Sequence, residues 1–320
     1  MMPRFLRFAP IYQERVWGGS ALHDALGRAL PAGGKPIGES WEIVDRPEAQ
    51  SRVAGGPWAG RTLRELMEKE SAAVMGPGWD KTKVFPILVK WLDARERLSL
   101  QVHPPAAKAK ELGGEPKTEN WYVAEAAPGA GMIAGLKRGV TRAQFEKELR
   151  GGDLEKLVHR FPAKRGESLF VPSGRLHAID AGLLILEIQQ NSDTTYRVYD
   201  WGRVGLDGKP RALHVEQSLA SIDFEDFEPG PISAGKDETV LAECEHFRLR
   251  RVSLAPGAEL KFGGNEEPRI VSVAEGRVTT DELQLGELER GANVLVPYAS
   301  GVVMRAKEAS VALVTDRFSS

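Results

Sequence analysis

The sequence predicts a mainly β chain built as two small barrels, with a short helical insertion in its N-terminal half. Three observations carry that reading. Short apolar runs alternate with Gly- and Pro-bearing turns along most of the 320 residues. The spacing Gly-x5-Pro occurs twice, from Gly166 to Pro172 and from Gly291 to Pro297. Between those frames, Glu228-Pro229-Gly230 interrupts the pattern as a domain linker does, giving domains at 1–228 and 229–320.

In chain order, residues 1–60 hold short apolar runs among many Gly and Pro residues, including Arg15-Val16-Trp17-Gly18-Gly19 and Ile37 to Ile43. Thr62 and Glu65 form a capping box for a helix whose apolar face is Leu63, Leu66 and Met67, stopped by Gly76-Pro77-Gly78. Val84 to Leu92 reads as a strand, and Leu98 to Val102 as another that Pro104-Pro105 closes. Ala106 to Leu112 is a short helix or turn. Trp121 to Val123 and Met132 to Ala134 read as strands paired around a Pro128-Gly129 turn. The insertion, about 141–161, starts with a Thr141/Gln144 capping box and the stripe Phe145 and Leu149, and stops at Gly151-Gly152. Asp153 then caps a second short helix with Leu154, Leu157 and Val158, on which His159 is a surface residue. Strands return at Ser168 to Val171, Leu183 to Gln189 and Thr195 to Tyr199, and a turn of helix begins near His214 and Val215. From 238 to 320, turns at Ala255-Pro256-Gly257, Gly263-Gly264-Asn265 and Glu275-Gly276 punctuate the strands of a second barrel.

Composition narrows the function. Lys plus Arg number 43 against 45 for Asp plus Glu, so the chain lacks the basic excess of a general nucleic-acid or membrane-surface binder. The single cysteine, Cys244, forms no internal disulfide. No apolar run approaches the about 20 residues that span a bilayer, and the first residues carry no apolar export segment. These features read as a cytoplasmic globular protein.

The chemistry concentrates between Leu98 and Glu119 and again at His177. Gln101 and His103 are two apart, as are Lys117 and Glu119, and such pairs share a strand face. Two imidazoles, a carboxylate and a nearby amide make an N/O site for zinc or another divalent transition metal. Gly166, Pro172, Gly174 and His177 fit Gly-x5-Pro-x-Gly-x2-His, which resembles the second motif of the cupin β-barrel superfamily; Ala181 replaces the Asn that often follows. In the second frame Ala299 stands where Gly174 stood and Val302 where His177 stood, so the tail reads as a degenerate cupin barrel without a metal.

VWGG, IGESWEI, FPILVKWLDA, LSLQVHP, PKTENWY, FVPSGRLHA and LEIQQNSDTTYRVYDWGR, in that order, resemble the type I mannose-6-phosphate isomerase family in its short bacterial form. The resemblance implies a bicupin fold and one metal ion per chain, usually zinc, held by His103, Glu119 and His177. Gln101 matches a fourth ligand of some members. Arg197 matches the family's catalytic arginine. Lys117, a second catalytic cation, and Ser99, Lys90, Trp17 and Glu42 match positions that line the sugar-phosphate pocket. Ile179 stands where some longer members have a tyrosine. Aldose–ketose interconversion moves a proton between C1 and C2 through an enediolate, whose charge a divalent metal and a cation such as Arg197 stabilise. Glu187, Asp193 and a metal-bound water are the candidate proton carriers. An iron-dependent cupin dioxygenase would use the same two-His-one-carboxylate set but gives Lys117 and Arg197 no role. A non-catalytic sugar-binding cupin would be expected to have lost the arginine or a ligand.

Overall fold

The computed structural model describes residues 3–151, 153–280 and 286–319. Its architecture is mainly β, as expected, with open sheets stacked in pairs. The chain divides into two compact units. One comprises Tyr12–Ser40 and Trp91–Ser233, the other Met1–Ile11, Trp41–Lys90 and Ala234–Ser320.

In the first unit, one sheet runs in the order Val158–Pro162, Gly131–Leu136, His177–Ile179, Leu100–Val102, Tyr196–Tyr199. A second holds Ile232–Ser233, Glu167–Val171, Glu119–Ala126 and Leu183–Gln190, in that order. Period-2 alternation decides which side chains meet. Trp121, Val123, Leu169 and Ile185 from one sheet join Met132, Ala134 and Ile179 from the other in a single apolar core. The alternate residues of the five-stranded sheet, Leu100, Val102, Tyr196 and Val198, point the other way, into a cluster closed by Phe145, Leu154 and Ile222. Burying a side chain such as Phe145 contributes about 1.5–3 kcal/mol. The helical segment is therefore a cover for the outer face of the sheet.

The second unit repeats the pattern. Its six-stranded sheet contains Leu6–Arg7, Asn293–Val296, Arg269–Glu275, Ser310–Asp316, Arg248–Leu254 and Glu238–Glu243. Its four-stranded sheet contains Glu259–Phe262, Val302–Ala306, Arg277–Thr280 and Leu288–Glu289, and the core lies among residues of both. Val302 belongs to that core, 1% exposed beside Phe262, Val296 and Met304 in the same cluster. The two Gly-x5-Pro frames share backbone conformation as well as spacing. Gly166 and Gly291, each in the turn before a strand, have φ of +86° and +91°, a region costly for any residue with a Cβ.

Both capping boxes form. Thr62 Oγ1 accepts from the Glu65 amide at 3.1 Å and Glu65 Oε2 from the Thr62 amide at 2.7 Å, opening the helix Leu63–Val74. Thr141 and Gln144 exchange the same bonds at the helix Arg142–Gly151. The Gly151-Gly152 stop falls partly outside the described residues, which exclude Gly152.

Three local expectations are corrected. Val84 is 44% exposed and the strand starts at Ile87, because Pro86 has no amide to donate to a ladder. Glu119–Ala126 and Gly131–Leu136 do not pair around Pro128-Gly129; they lie in different sheets. Their apolar residues fill the same core from opposite sides, which is why the local sequence mimics a hairpin. Val158 and His159 are not helical: a 3-10 turn covers only Leu154–Lys156, and Val158–Pro162 is a strand paired with Gly131–Leu136. Among the described residues no helix is long and apolar enough to cross a membrane.

Candidate metal centre

Three strands deliver the predicted ligands to one buried point. Glu119 opens the strand Glu119–Ala126, His177 opens His177–Ile179, and His103 follows the strand Leu100–Val102. All three side chains are 0% exposed, and one ligand atom from each lies within 4.8 Å of the others. His103 Nε2 is 3.4 Å from Glu119 Oε2, and His177 Nε2 is 3.6 Å from Glu119 Oε1. The rings of His103 and His177 are 4.7 Å apart between centroids, and Trp121 stands edge-on to His177 at 5.3 Å.

Backbone carbonyls orient both imidazoles. His103 Nδ1 bonds to the Thr194 carbonyl at 2.8 Å and His177 Nδ1 to the Arg175 carbonyl at 2.7 Å. A carbonyl only accepts, so each Nδ1 carries the proton and each Nε2 turns a lone pair toward Glu119. Glu119 Oε1 and His177 Nε2 are buried without a hydrogen-bond partner. Such orphaned atoms cost about 1–3 kcal/mol each, and a shared cation removes that cost.

Lys117 completes the cluster, with Nζ 2.5 Å from Glu119 Oε2, 3.3 Å from His103 Nε2 and 3.7 Å from Glu187 Oε1. Trp121 Nε1 donates to Glu187 Oε2 at 3.0 Å. Burial works against the charge on Lys117, yet Glu119 and Glu187 prevail and raise its pKa above the ordinary lysine value. Burial also opposes the Glu119 charge, but Lys117 and then the two histidines hold its pKa well below the usual carboxylate range. For His103, burial and then the Lys117 charge lower the pKa. For His177, burial and then His103 hold it at about 3. Neutral imidazoles and an ionised carboxylate are the forms that coordinate a metal. The residues fit a divalent transition metal.

These shifts set an acid limit for the metal-free protein. Unfolding returns His177 to its ordinary value of 6.5, so between about 3 and 6.5 the unfolded chain binds the extra proton. Folded Glu119 resists protonation in the same direction. Stability is therefore full above about 6.5 and declines as pH falls. The urea midpoint of chelated protein is expected to drop steadily from pH 7 to pH 4.5, and an unchanged midpoint would contradict the assignment of two buried neutral imidazoles.

The other sequence candidates are distributed unevenly. Gln101 lies directly across from His177 on one side and from Arg197 on the other, so the three form a row across the sheet. Arg197 is half-buried, with Nη1 donating to the Ala212 carbonyl at 2.8 Å; burial and then Arg211 lower its pKa. Ser99 is 5% exposed just before the strand of Gln101. Trp17 is 4% exposed in the apolar core with Leu92 and Leu98. Glu42 and Lys90 belong to the second unit. There Glu42 Oε2 accepts from Asn293 at 3.2 Å, and Lys90 Nζ lies 4.7 Å over the Trp41 ring. Glu187 is buried, whereas Asp193 is exposed. Sequence reasoning missed Trp121 as the residue that orients Glu187, although it lies inside PKTENWY, and the carbonyls of Thr194 and Arg175 leave no side-chain signature at all.

Comparison with known proteins gives a consistent picture. The family model for the phosphomannose isomerase type I catalytic domain matches residues 5–133, a span that includes Gln101, His103, Lys117 and Glu119. The probable mannose-6-phosphate isomerase GmuF of Bacillus subtilis is 43% identical over 302 residues, covering 92% of this chain and 93% of that protein. The mannose-6-phosphate isomerase ManA of the same organism is 36% identical, covering 92% and 94%. Among solved structures, the mannose 6-phosphate isomerase from Bacillus subtilis superposes with a TM-score of 0.84 at 31% identity, covering 98% of this chain and 99% of that one.

Proposed function

Because this chain belongs to the type I phosphomannose isomerase family of metal-dependent aldose–ketose isomerases, we propose that His103, Glu119 and His177 hold a single catalytic zinc ion beside which mannose 6-phosphate and fructose 6-phosphate interconvert. The observation that carries this is the buried pair Glu119 Oε1 and His177 Nε2, 3.6 Å apart and without hydrogen bonds, next to His103 Nε2. Two histidines and a glutamate are a known catalytic zinc set that leaves positions open for substrate or water. Gln101, across the strand from His177, is the candidate fourth ligand.

A zinc ion held by these three residues would supply Lewis acidity for the isomerisation. The chain supplies the rest. Lys117, kept charged between Glu119 and Glu187, donates to a sugar oxygen as it gains negative charge. Glu187, the buried candidate, fixed by Trp121 Nε1–H and adjacent to Lys117, carries the proton between C1 and C2. Arg197 lies in register with Gln101 and stabilises the enediolate as a second cation. Ser99 and Trp17 are carried as candidate substrate-binding residues on the resemblance alone. The second unit is structural in this reading, since the position equivalent to His177 is Val302 within its core. Glu42 and Lys90 are likewise carried as candidate substrate-binding residues on the resemblance alone.

Fructose 6-phosphate formation from mannose 6-phosphate is expected to stop when the protein is chelated and to return on adding one equivalent of zinc per chain. Full activity in protein shown to be metal-free would sink the proposal. Bound iron with oxygen uptake would point instead to the dioxygenase chemistry that shares this ligand set.

A further inference from the structure

The loop that follows the strand Tyr196–Tyr199 closes back on Arg197 and grips it at three points. The return stretch supplies the Ala212 carbonyl to Arg197 Nη1 at 2.8 Å. His214 Nδ1 accepts from the Arg197 amide at 3.1 Å, and the His214 amide donates to the Arg197 carbonyl at 2.8 Å. Arg197 Nε is buried and has no hydrogen-bond partner, so the guanidinium is aimed chiefly by the Ala212 bond.

The loop itself is shut by one carboxylate. Asp200, 5% exposed, accepts from Arg211 Nε at 2.7 Å and from Arg211 Nη2, and from Arg203 Nη2 at 2.8 Å. A bidentate arginine–carboxylate pair fixes direction as well as distance, and this one joins the two ends of the loop. Trp201, next in sequence, has φ of +57°, an unusual conformation for a bulky residue; its ring is held by an Nε1 bond to the Leu98 carbonyl at 2.7 Å and by Arg97 stacked 4.6 Å above it. Between these anchors, Val204 and Pro210 bridge a small, mostly exposed hairpin. Arg197, Arg203 and Arg211 are near enough to repel one another, and Asp200 is the carboxylate that offsets them.

We infer that Asp200 and Arg211 form a clasp that positions the Arg197 guanidinium for the reaction, with His214 as its backbone brace. They are positioning residues that touch no reacting atom. The inference rests on the reading of Arg197 as a transition-state cation. A misplacement of about 1 Å in such a group costs up to about 10²-fold in rate. Opening the clasp therefore lowers kcat while leaving the metal site and ground-state binding alone.

The experiment is a double-mutant cycle in the full chain, with kcat, KM and zinc content measured for Asp200→Asn, Arg197→Ala and the pair. Asp200→Asn is expected to lower kcat by about 10- to 10²-fold, the scale of a small misplacement, with KM and zinc unchanged. In the Arg197→Ala background the same change is expected to cost nothing further, because its target is gone. An equal loss in both backgrounds, or no loss in the first, overturns the clasp while leaving Arg197 its role. An Arg197→Ala protein with normal kcat overturns the role of Arg197 and the clasp together. Should Asp200→Asn fail to fold, Arg211→Lys and Arg211→Gln take its place. Lysine keeps the charge without the fork and is expected to fall between wild type and glutamine; a lysine variant no better than glutamine in a folded protein counts against the clasp.

Discussion

The His177→Ala protein is expected to fold, to hold no zinc and to lose mannose-6-phosphate turnover to the floor of the assay. His177 opens its strand, and its ring bonds through Nδ1 to the Arg175 carbonyl, so removing the ring leaves the backbone ladder to Ala134 and Gln101 intact. The Lys117–Glu119 pair, at 2.5 Å, survives the change and still balances the charge of the buried carboxylate. What disappears is one of the three atoms that converge within 4.8 Å. Two remaining donors give a much weaker site, because affinity depends on ligand number and preset geometry. Circular dichroism reports the fold and metal analysis the occupancy. A variant with stoichiometric zinc and near-normal rate places the metal elsewhere.

The Arg197→Ala protein is expected to keep its zinc and nearly its wild-type KM while kcat falls about 10²-fold or more, the size seen when one preorganised donor is removed. Its guanidinium is tied to the Ala212 carbonyl rather than to a carboxylate, so its remaining donors are available to a developing negative charge. Burial and the nearby Arg211 lower its pKa, which makes an approaching anion more welcome still. An interaction made mainly in the transition state appears in kcat and not in KM. A raised KM with kcat intact would make Arg197 a phosphate clamp of uniform binding and end its assignment to catalysis.

The legible and illegible parts of this molecule differ for physical reasons. Glu119 and His177 are legible from a strand start and a short motif. His103 and Lys117 are legible from their two-residue spacing to Gln101 and Glu119, although His103 follows its strand and Lys117 precedes its own. The capping boxes at Thr62 and Thr141 were readable because their bonds join residues three apart in sequence. The sheet assignment of Met132 was not, since strands that fill one core from opposite layers carry the same alternation as a hairpin. Val158 and His159 were misplaced for a related reason: a strand of five residues after a single 3-10 turn looks like the end of a helix. The grip of Ala212 on Arg197 was invisible, because a main-chain carbonyl reads the same whatever the residue. Glu42 and Lys90 are pocket candidates by resemblance alone, since neither strand periodicity nor a local motif marks a residue as a pocket wall.

Diffraction from crystals of the native protein at the zinc absorption edge decides whether one metal ion sits among His103, Glu119 and His177. One strong anomalous peak is expected at about 2.0–2.2 Å from His103 Nε2, a Glu119 carboxylate oxygen and His177 Nε2, the ordinary zinc–nitrogen and zinc–oxygen distances. A peak elsewhere in the chain, or none from protein that is fully active, would contradict the account.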